Sequence, residues 1–278
     1  MADYQSHAPH ILQYALSIAK HYQSTIHFAH IFPMLSTGGL VNDMQELDSE
    51  PFIMAGHYEQ QYEAAAEKLS RFVSDYMPNS ANYQLGACIV KTGNKSKEIL
   101  DTIEEHAIDL VVMGMNQSSK TSNLFFGNLS LELIEQAPCP ILLIPKTAIY
   151  WGINNIVYAS DHEQPSIPSI QLLIEWTKAF EADLHLIHIL RPLMNSDSIP
   201  YLEGLIDAFQ EEIDKDRLQV RIVKGDVKEE IADYAALSKA DLIALTKHDR
   251  KFWSYLLTPH LFGKQKEIRV PVLVFKRG

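Results

Sequence analysis

The chain has 278 residues, is 46% hydrophobic, and carries 24 Lys and Arg against 35 Asp and Glu, a net charge of −11. That balance argues against duplex nucleic acid or an anionic membrane surface as a partner, since both need a basic footprint. Neither a signal-peptide pattern nor an apolar span of about 18 residues occurs, so the chain reads as cytoplasmic.

Hydrophobic spacing predicts a first helix over His7–Tyr22, with Leu12, Ala15, Leu16 and Ala19 on one face. A short apolar strand follows at Ile26–Phe32, then a loop with Gly38 and Gly39, and a second helix over Met54–Tyr76. A strand at Tyr83–Val90 ends at Gly93 and leads to a helix over Lys95–His106, with Ile99, Leu100 and Ile103 inward. The strand Leu110–Met113, a loop to Phe126, the helix Asn128–Gln136 and the strand Pro140–Ile144 complete this half. The second half runs strand Asn155–Ser160, helix Ser166–Phe180, strand Leu184–Leu190 and helix Tyr201–Ile213. It ends with strand Leu218–Val223, helix Val227–Leu237 and strands Leu242–Leu245 and Val270–Phe275. Strands that are apolar throughout and alternate with helices indicate a parallel sheet covered on both faces.

The two halves are one unit written twice. Ile26-His27-Phe28-Ala29-His30-Ile31 returns as Leu184-His185-Leu186-Ile187-His188-Ile189, an offset of 184 − 26 = 158. Asp3 and Asp161 share that offset, as do Leu12 and Ile170. Further on, Gly93 to Ile99 matches Gly225 to Ile231, and Asp109-Leu110-Val111-Val112 matches Asp241-Leu242-Ile243-Ala244, both at 132. Cys139-Pro140-Ile141-Leu142-Leu143-Ile144 matches Val270-Pro271-Val272-Leu273-Val274-Phe275 at 131. Two copies of this size are a tandem pair of domains, 1–147 and 148–278, joined through Trp151-Gly152-Ile153-Asn154-Asn155. The second copy opens with a strand running into Asp161; the matching aspartate of the first copy is Asp3, which leaves no room for a first strand. Either the chain starts late relative to its natural product, or the first sheet closes some other way.

On Asp3 and Asp161, the Gly-x-x-Lys-Glu-like starts of the third helices and the stretch from Val111 to Pro145, the chain resembles a tandem universal stress protein with two UspA-type domains. The resemblance implies two doubly wound, Rossmann-like domains of the adenine nucleotide alpha-hydrolase type. Each would hold a mostly parallel five-stranded sheet, the first strand of the N-terminal domain missing. It also implies a cytoplasmic stress-response role, and a loop Gly-x-x-Gly-x(9)-Gly-Ser/Thr that binds ATP or ADP. Backbone N–H groups do the binding there, because glycines let a phosphate approach without meeting a Cβ, and a helix N-terminus adds its own donors. Gly114 and Gly127 fill the outer glycine positions, while Gln117 and Asn128 replace the middle glycine and the Ser/Thr. The implied site is Asp3 at the adenine, main-chain groups of His30 and Ile31 at the ribose, and Gly114, Asn116, Gly127, Asn128, Leu129 and Ser130 at the phosphates. Gly114 ending a strand and Gly127 starting a helix for structural reasons alone remains the alternative.

In the second copy Thr246, Asp249 and Thr258-Pro259 stand in the motif's positions, so that site is read as dead and Thr246→Asp is expected to change nothing. By the same resemblance the two C-terminal strands pair antiparallel, making an internal pseudo-dimer; a homodimer stays open. His27 and His30, like His185 and His188, lie three apart on a strand and point to opposite faces, so no metal is expected. Cys88 and Cys139 sit in apolar runs and are expected to be buried free thiols. No Cys-x-x-Cys, Gly-x-Ser-x-Gly or Walker-type motif and no other catalytic constellation is visible. Three functions follow: a stress-response module with partial adenine-nucleotide binding in its first domain, a non-nucleotide interaction protein of the same fold, or an enzyme of the wider adenine-nucleotide alpha-hydrolase-like group. The last would need a Ser-Gly-Gly-like loop or a His-x-Gly-His motif, and neither occurs.

Overall fold

The computed structural model describes residues 8–32, 50–77, 82–115, 128–160, 166–190, 215–225, 227–246 and 270–276, with 204, 209 and 213 besides. They fall in two compact units, Met1–Ala107 and Ile108–Gly278. The first unit holds α1 (Ala8–Tyr22), β1 (Thr25–Phe32), α2 (Glu50–Tyr76), β2 (Gln84–Thr92) and α3 (Lys95–Glu105). The second opens with β3 (Val111–Gly114), α4 (Asn128–Gln136), β4 (Ile141–Ile144), β5 (Asn155–Ser160) and α5 (Ile167–Phe180). It continues with β6 (Asp183–Leu190), a 3-10 turn (Lys215–Arg217), β7 (Leu218–Lys224), α6 (Val227–Leu237), β8 (Leu242–Thr246) and β9 (Val272–Phe275). The helix expected over Tyr201–Ile213 lies almost wholly outside the described residues.

The sheets differ from the expected pair of parallel five-stranded sheets. β1 and β2 form a parallel two-stranded sheet of their own, and the other strands form one seven-stranded sheet ordered β3-β4-β9-β8-β5-β6-β7. All its neighbours are parallel except β4 and β9, which are antiparallel. The second copy does contribute five parallel strands, with β5 hydrogen-bonded to β6 on one side and β8 on the other. The first copy has no described strand in that role, so its four strands divide into β1-β2 and β3-β4. The expected pairing of the C-terminal strands is present, and it carries β3 and β4 into the sheet of the second copy.

Burial follows the sheets. Every described residue of β4, β8 and β9 is buried, whereas β1 and β3 contain none that is. In α1 the buried residues are Leu12, Tyr14, Ile18 and Ala19, and in α3 Ser96, Thr102 and Ile103; Ala15, Leu16, Ile99 and Leu100 are only half-buried. Capping fixes where helices start. Asn94 accepts a hydrogen bond from Lys97 N–H at 3.0 Å ahead of α3, and Ser166 does the same for Ser169 N–H at 3.4 Å ahead of α5. Asp241 fastens the start of β5 by accepting from the N–H groups of Asn154 and Asn155 at 2.8 and 3.0 Å.

One irregularity lies inside β1-β2. The register slips by one residue between Ile26 and Phe28, a bulge on β2 opposite His27. The imidazole lies over Gly86, and its Nδ1 accepts a hydrogen bond from Ala87 N–H at 3.2 Å. A Cβ on Gly86 would come within 2.8 Å of His27 Cε1 and Thr25 Cγ2, so only glycine leaves the ring its place.

Candidate functional site

Ligands of open α/β sheets bind outside the carboxyl ends of the strands, and the candidate residues distribute over those ends. Gly114 is the last residue of β3, in register with Ile144 at the end of β4. The next residue, buried Met115, donates its N–H to Ile144 O at 2.8 Å. Asn128 is the first residue of α4, Leu129 is half-buried, and Ser130 is buried. Asp3, Asn116 and Gly127 lie outside the described residues, as does the side chain of Asn128. Gly114, Leu129 and Ser130 belong to the second compact unit, His30 and Ile31 to the first.

His30 and Ile31 close β1 opposite Val90 and Lys91. The ring of His30 stacks on Phe32 at 6.3 Å, and Phe32 packs on Tyr58 of α2 at the same distance. Burial lowers the pKa of His30, and the nearby charges of Lys95, at the start of α3, and Lys68 lower it further. The shift favours the neutral imidazole.

The second copy shows what has become of the same position. Thr246, 132 residues after Gly114, ends β8 and is 2% exposed. Its hydroxyl donates to Ser169 Oγ at 3.0 Å and lies 2.9 Å from Tyr158 Oη. Ser169 Oγ donates to Ser166 Oγ at 2.9 Å, and Ser166 N–H reaches Tyr158 Oη at 3.4 Å. Thr246 has one proton to give and gives it to Ser169, so Tyr158 must donate to Thr246. The bonds close a directed ring over the carboxyl ends of β5 and β8. Ala8, Ile11 and Gly114 stand where the second copy has Ser166, Ser169 and Thr246, so the first copy cannot build it. A carboxylate placed here by Thr246→Asp would enter a buried hydrogen-bonded network and is expected to cost stability, whatever it does to nucleotide binding.

The model of the family described as "Universal stress protein family" matches residues 2–145 and again 152–276. The chain belongs to the universal stress protein family. Among solved structures it is similar to a universal stress protein from Archaeoglobus fulgidus DSM 4304, with 16% identity, 95% of this chain and 92% of that one covered, and a TM-score of 0.61. A functionally unknown protein from Pseudomonas aeruginosa PAO1 is similar at 18% identity over 96% of this chain and 87% of that one, with a TM-score of 0.57. At such identities these likenesses speak for the fold alone. No curated protein matches the chain.

Within this universal stress protein, the histidines do structural work. His185 is buried, with Nδ1 3.1 Å from Tyr234 Oη, and Arg221 sits 5.3 Å over the ring of Tyr234. Burial lowers the pKa of His185, with Asp183 pulling the other way. His27 lies 4.9 Å from His106 and is likewise held below the ordinary range, by burial first and His106 second. Among the described residues no group of three or more His, Cys, Asp or Glu could hold a metal, and no helix is long and apolar enough to cross a membrane. Cys139 is buried as expected, but Cys88 is exposed, while the next residue of β2, Ile89, which points to the other face, is buried. Sequence reasoning missed Lys68 and Lys95 beside His30, and it missed the Tyr158-Thr246-Ser169-Ser166 ring. The only signal for the ring was that all three hydroxyls at 166, 169 and 246 are absent together from the first copy.

Proposed function

We propose that this chain is a stress-response protein of two UspA-type domains, 1–147 and 148–278, of which only the first takes up an adenine nucleotide, ATP or ADP, and holds it weakly. In this reading Asp3 meets the adenine and main-chain groups of His30 and Ile31 the ribose. The backbone from Gly114 and Asn116 to Gly127, Asn128, Leu129 and Ser130 meets the phosphates. The observation that carries it is the contrast between Gly114 and Thr246. The first copy ends β3 on Gly114, with no side chain at that position, and starts α4 at Asn128, whereas the second ends the matching strand on Thr246 and packs hydroxyls around it. A backbone anion site needs the former. Weak affinity follows from Gln117 and Asn128, which replace a glycine and a hydroxyl of the motif.

Those same two replacements favour a second reading, an interaction protein that keeps the fold without the ligand. One experiment separates them. Protein purified without added nucleotide is denatured and its supernatant chromatographed for ATP and ADP, and the stripped protein is then titrated with each. Bound nucleotide, or saturable binding with one site per chain, supports the first reading. Its absence at millimolar ligand leaves the second.

A further inference from the structure

His27 stands at the bulge of the β1-β2 ladder. Ile26 pairs with Leu85 and Phe28 with Cys88, so Gly86 and Ala87 share the place opposite His27. Ala87 donates its N–H to His27 Nδ1 at 3.2 Å. An amide N–H can only donate, so Nδ1 holds this bond only while it carries no proton. The neutral ring therefore carries its proton on Nε2.

The second copy keeps the histidine and drops the arrangement. His185, 158 residues on, sits in a ladder that runs without a slip from Leu184–Leu218 to Leu190–Lys224. Its Nδ1 lies 3.1 Å from Tyr234 Oη, and a hydroxyl can turn to accept where it had donated. Protonation is thus compatible with the bond of His185 and incompatible with that of His27. The neighbours differ as well. Phe28 packs on Phe72 of α2, so His27 points to the opposite face, where its ring lies 4.9 Å from that of His106 at the end of α3. Ser238 stands in the place of His106 in the second copy. β1 also packs against α1, which ends in Lys20 and His21, and against α2, which carries Lys68 and Arg71. β2 carries Lys91, bound to Glu105 of α3 at 2.6 Å. The charge that acts on His27 is that of His106, which adds to the effect of burial in opposing a proton there.

We propose that His27 is a proton-operated latch on the β1-β2 bulge: a proton taken up from solvent at Nδ1 expels the Ala87 N–H, and the strands part around Gly86. Only a hydrogen bond is lost, and the Nδ1–H bond is the one formed. The opening is bounded on both sides. Gln84 N–H donates to Ser24 O at 3.0 Å before the bulge, and Gly93 N–H donates to Phe32 O at 3.1 Å at the far end of the strands. Neutral His27 keeps the latch closed. It opens as pH falls through the folded value of His27, which lies below the ordinary value of about 6.5. This inference is independent of whether the first copy binds nucleotide.

The test is a pH series on the full chain, with amide exchange corrected for its intrinsic rate. From about pH 7 to about pH 5 the protection of Ala87 should fall by up to about tenfold per pH unit, while the amides of β7 in the second copy keep theirs. His27→Asn places Oδ1, an acceptor that does not titrate, where Nδ1 stood, and should keep Ala87 protected throughout the series. Nitrogen NMR of the parent protein above neutral pH should show His27 as the Nε2–H tautomer, a readout that stands even where the variant fails to fold. An Nδ1–H tautomer, protection of Ala87 that does not change with pH, an equal fall across β7, or the same fall in His27→Asn each overturns the proposal.

Discussion

Leu142 and Leu273 face each other across the antiparallel pair β4-β9, both fully buried, and they are also each other's counterparts in the repeat, 131 residues apart. Around them Ile141 faces Val274 and Leu143 faces Val272, so each side presents to the other what it receives. The contact is isologous in the manner of a twofold dimer, made here within one chain. Leu142→Ala and Leu273→Ala should therefore destabilise by similar amounts, about 2–5 kcal/mol each. The two should couple in the double variant, being in contact. Denaturant midpoints of the four proteins read both effects; clearly unequal single losses or strict additivity would contradict this.

Thr246→Val removes one hydroxyl from the ring over β5 and β8, and Tyr158 and Ser169 each lose one hydrogen bond. A loss of about 1–3 kcal/mol is expected, with Thr246→Ser much closer to the parent protein. Thr246→Gly should not create nucleotide binding, because Tyr158 and Ser169 still occupy the strand ends. Thermal melts and a nucleotide titration of the same three variants decide both points.

Gly86→Ala should lower the melting temperature, since its Cβ would collide with the His27 ring and Thr25. His27→Ala in the same protein removes the clash with the ring, though not the one with Thr25, and forfeits the bond to Ala87 N–H. The double variant should thus melt above Gly86→Ala and below the parent. If Gly86→Ala melts with the parent, the bulge is not held as described.

Acid should weaken the fold before the carboxylates titrate. His27, His30 and His185 are all held below the ordinary histidine value of about 6.5, with burial the first cause for each. In the unfolded chain they titrate near that value, so below it the unfolded state binds more protons than the folded one. Their stabilising effect is complete above about pH 6.5 and is lost as pH falls through the lower folded values. Melting temperature should be flat from pH 8 to about 7 and fall from there to pH 5. His185→Gln should have a shallower fall; an unchanged slope would remove His185 from the account.

If the first copy binds ATP, Gly127→Asp should abolish binding by setting a side chain and a charge at the phosphates. Calorimetry on the stripped proteins reads the outcome. Unchanged affinity in the variant would move the phosphate site away from the loop between Gly114 and Asn128.

The sequence by itself determined what is local or repeated. Apolar runs and helical spacing located β1 to β9 and the described helices to within a few residues, because those patterns depend on near neighbours along the chain. Repetition located the two copies, and the resemblance anticipated the antiparallel meeting of Pro140–Ile144 with Val270–Phe275. The expectation that the second copy lacks an anion site rests on Thr246, Asp249 and Pro259. Tertiary structure alone decided the grouping of strands. Hydrogen bonds between strands join residues far apart in sequence, and whether β1 and β3 share a neighbour as β6 and β8 do is not written in either strand. It also decided that Cys88 is exposed though its run is apolar, since burial depends on what covers a strand and not on its own composition. The ring of Tyr158, Thr246, Ser169 and Ser166 belongs to the same class. Four residues that are unremarkable one by one become a plug only when β5, β8 and the start of α5 bring their hydroxyls within hydrogen-bonding distance.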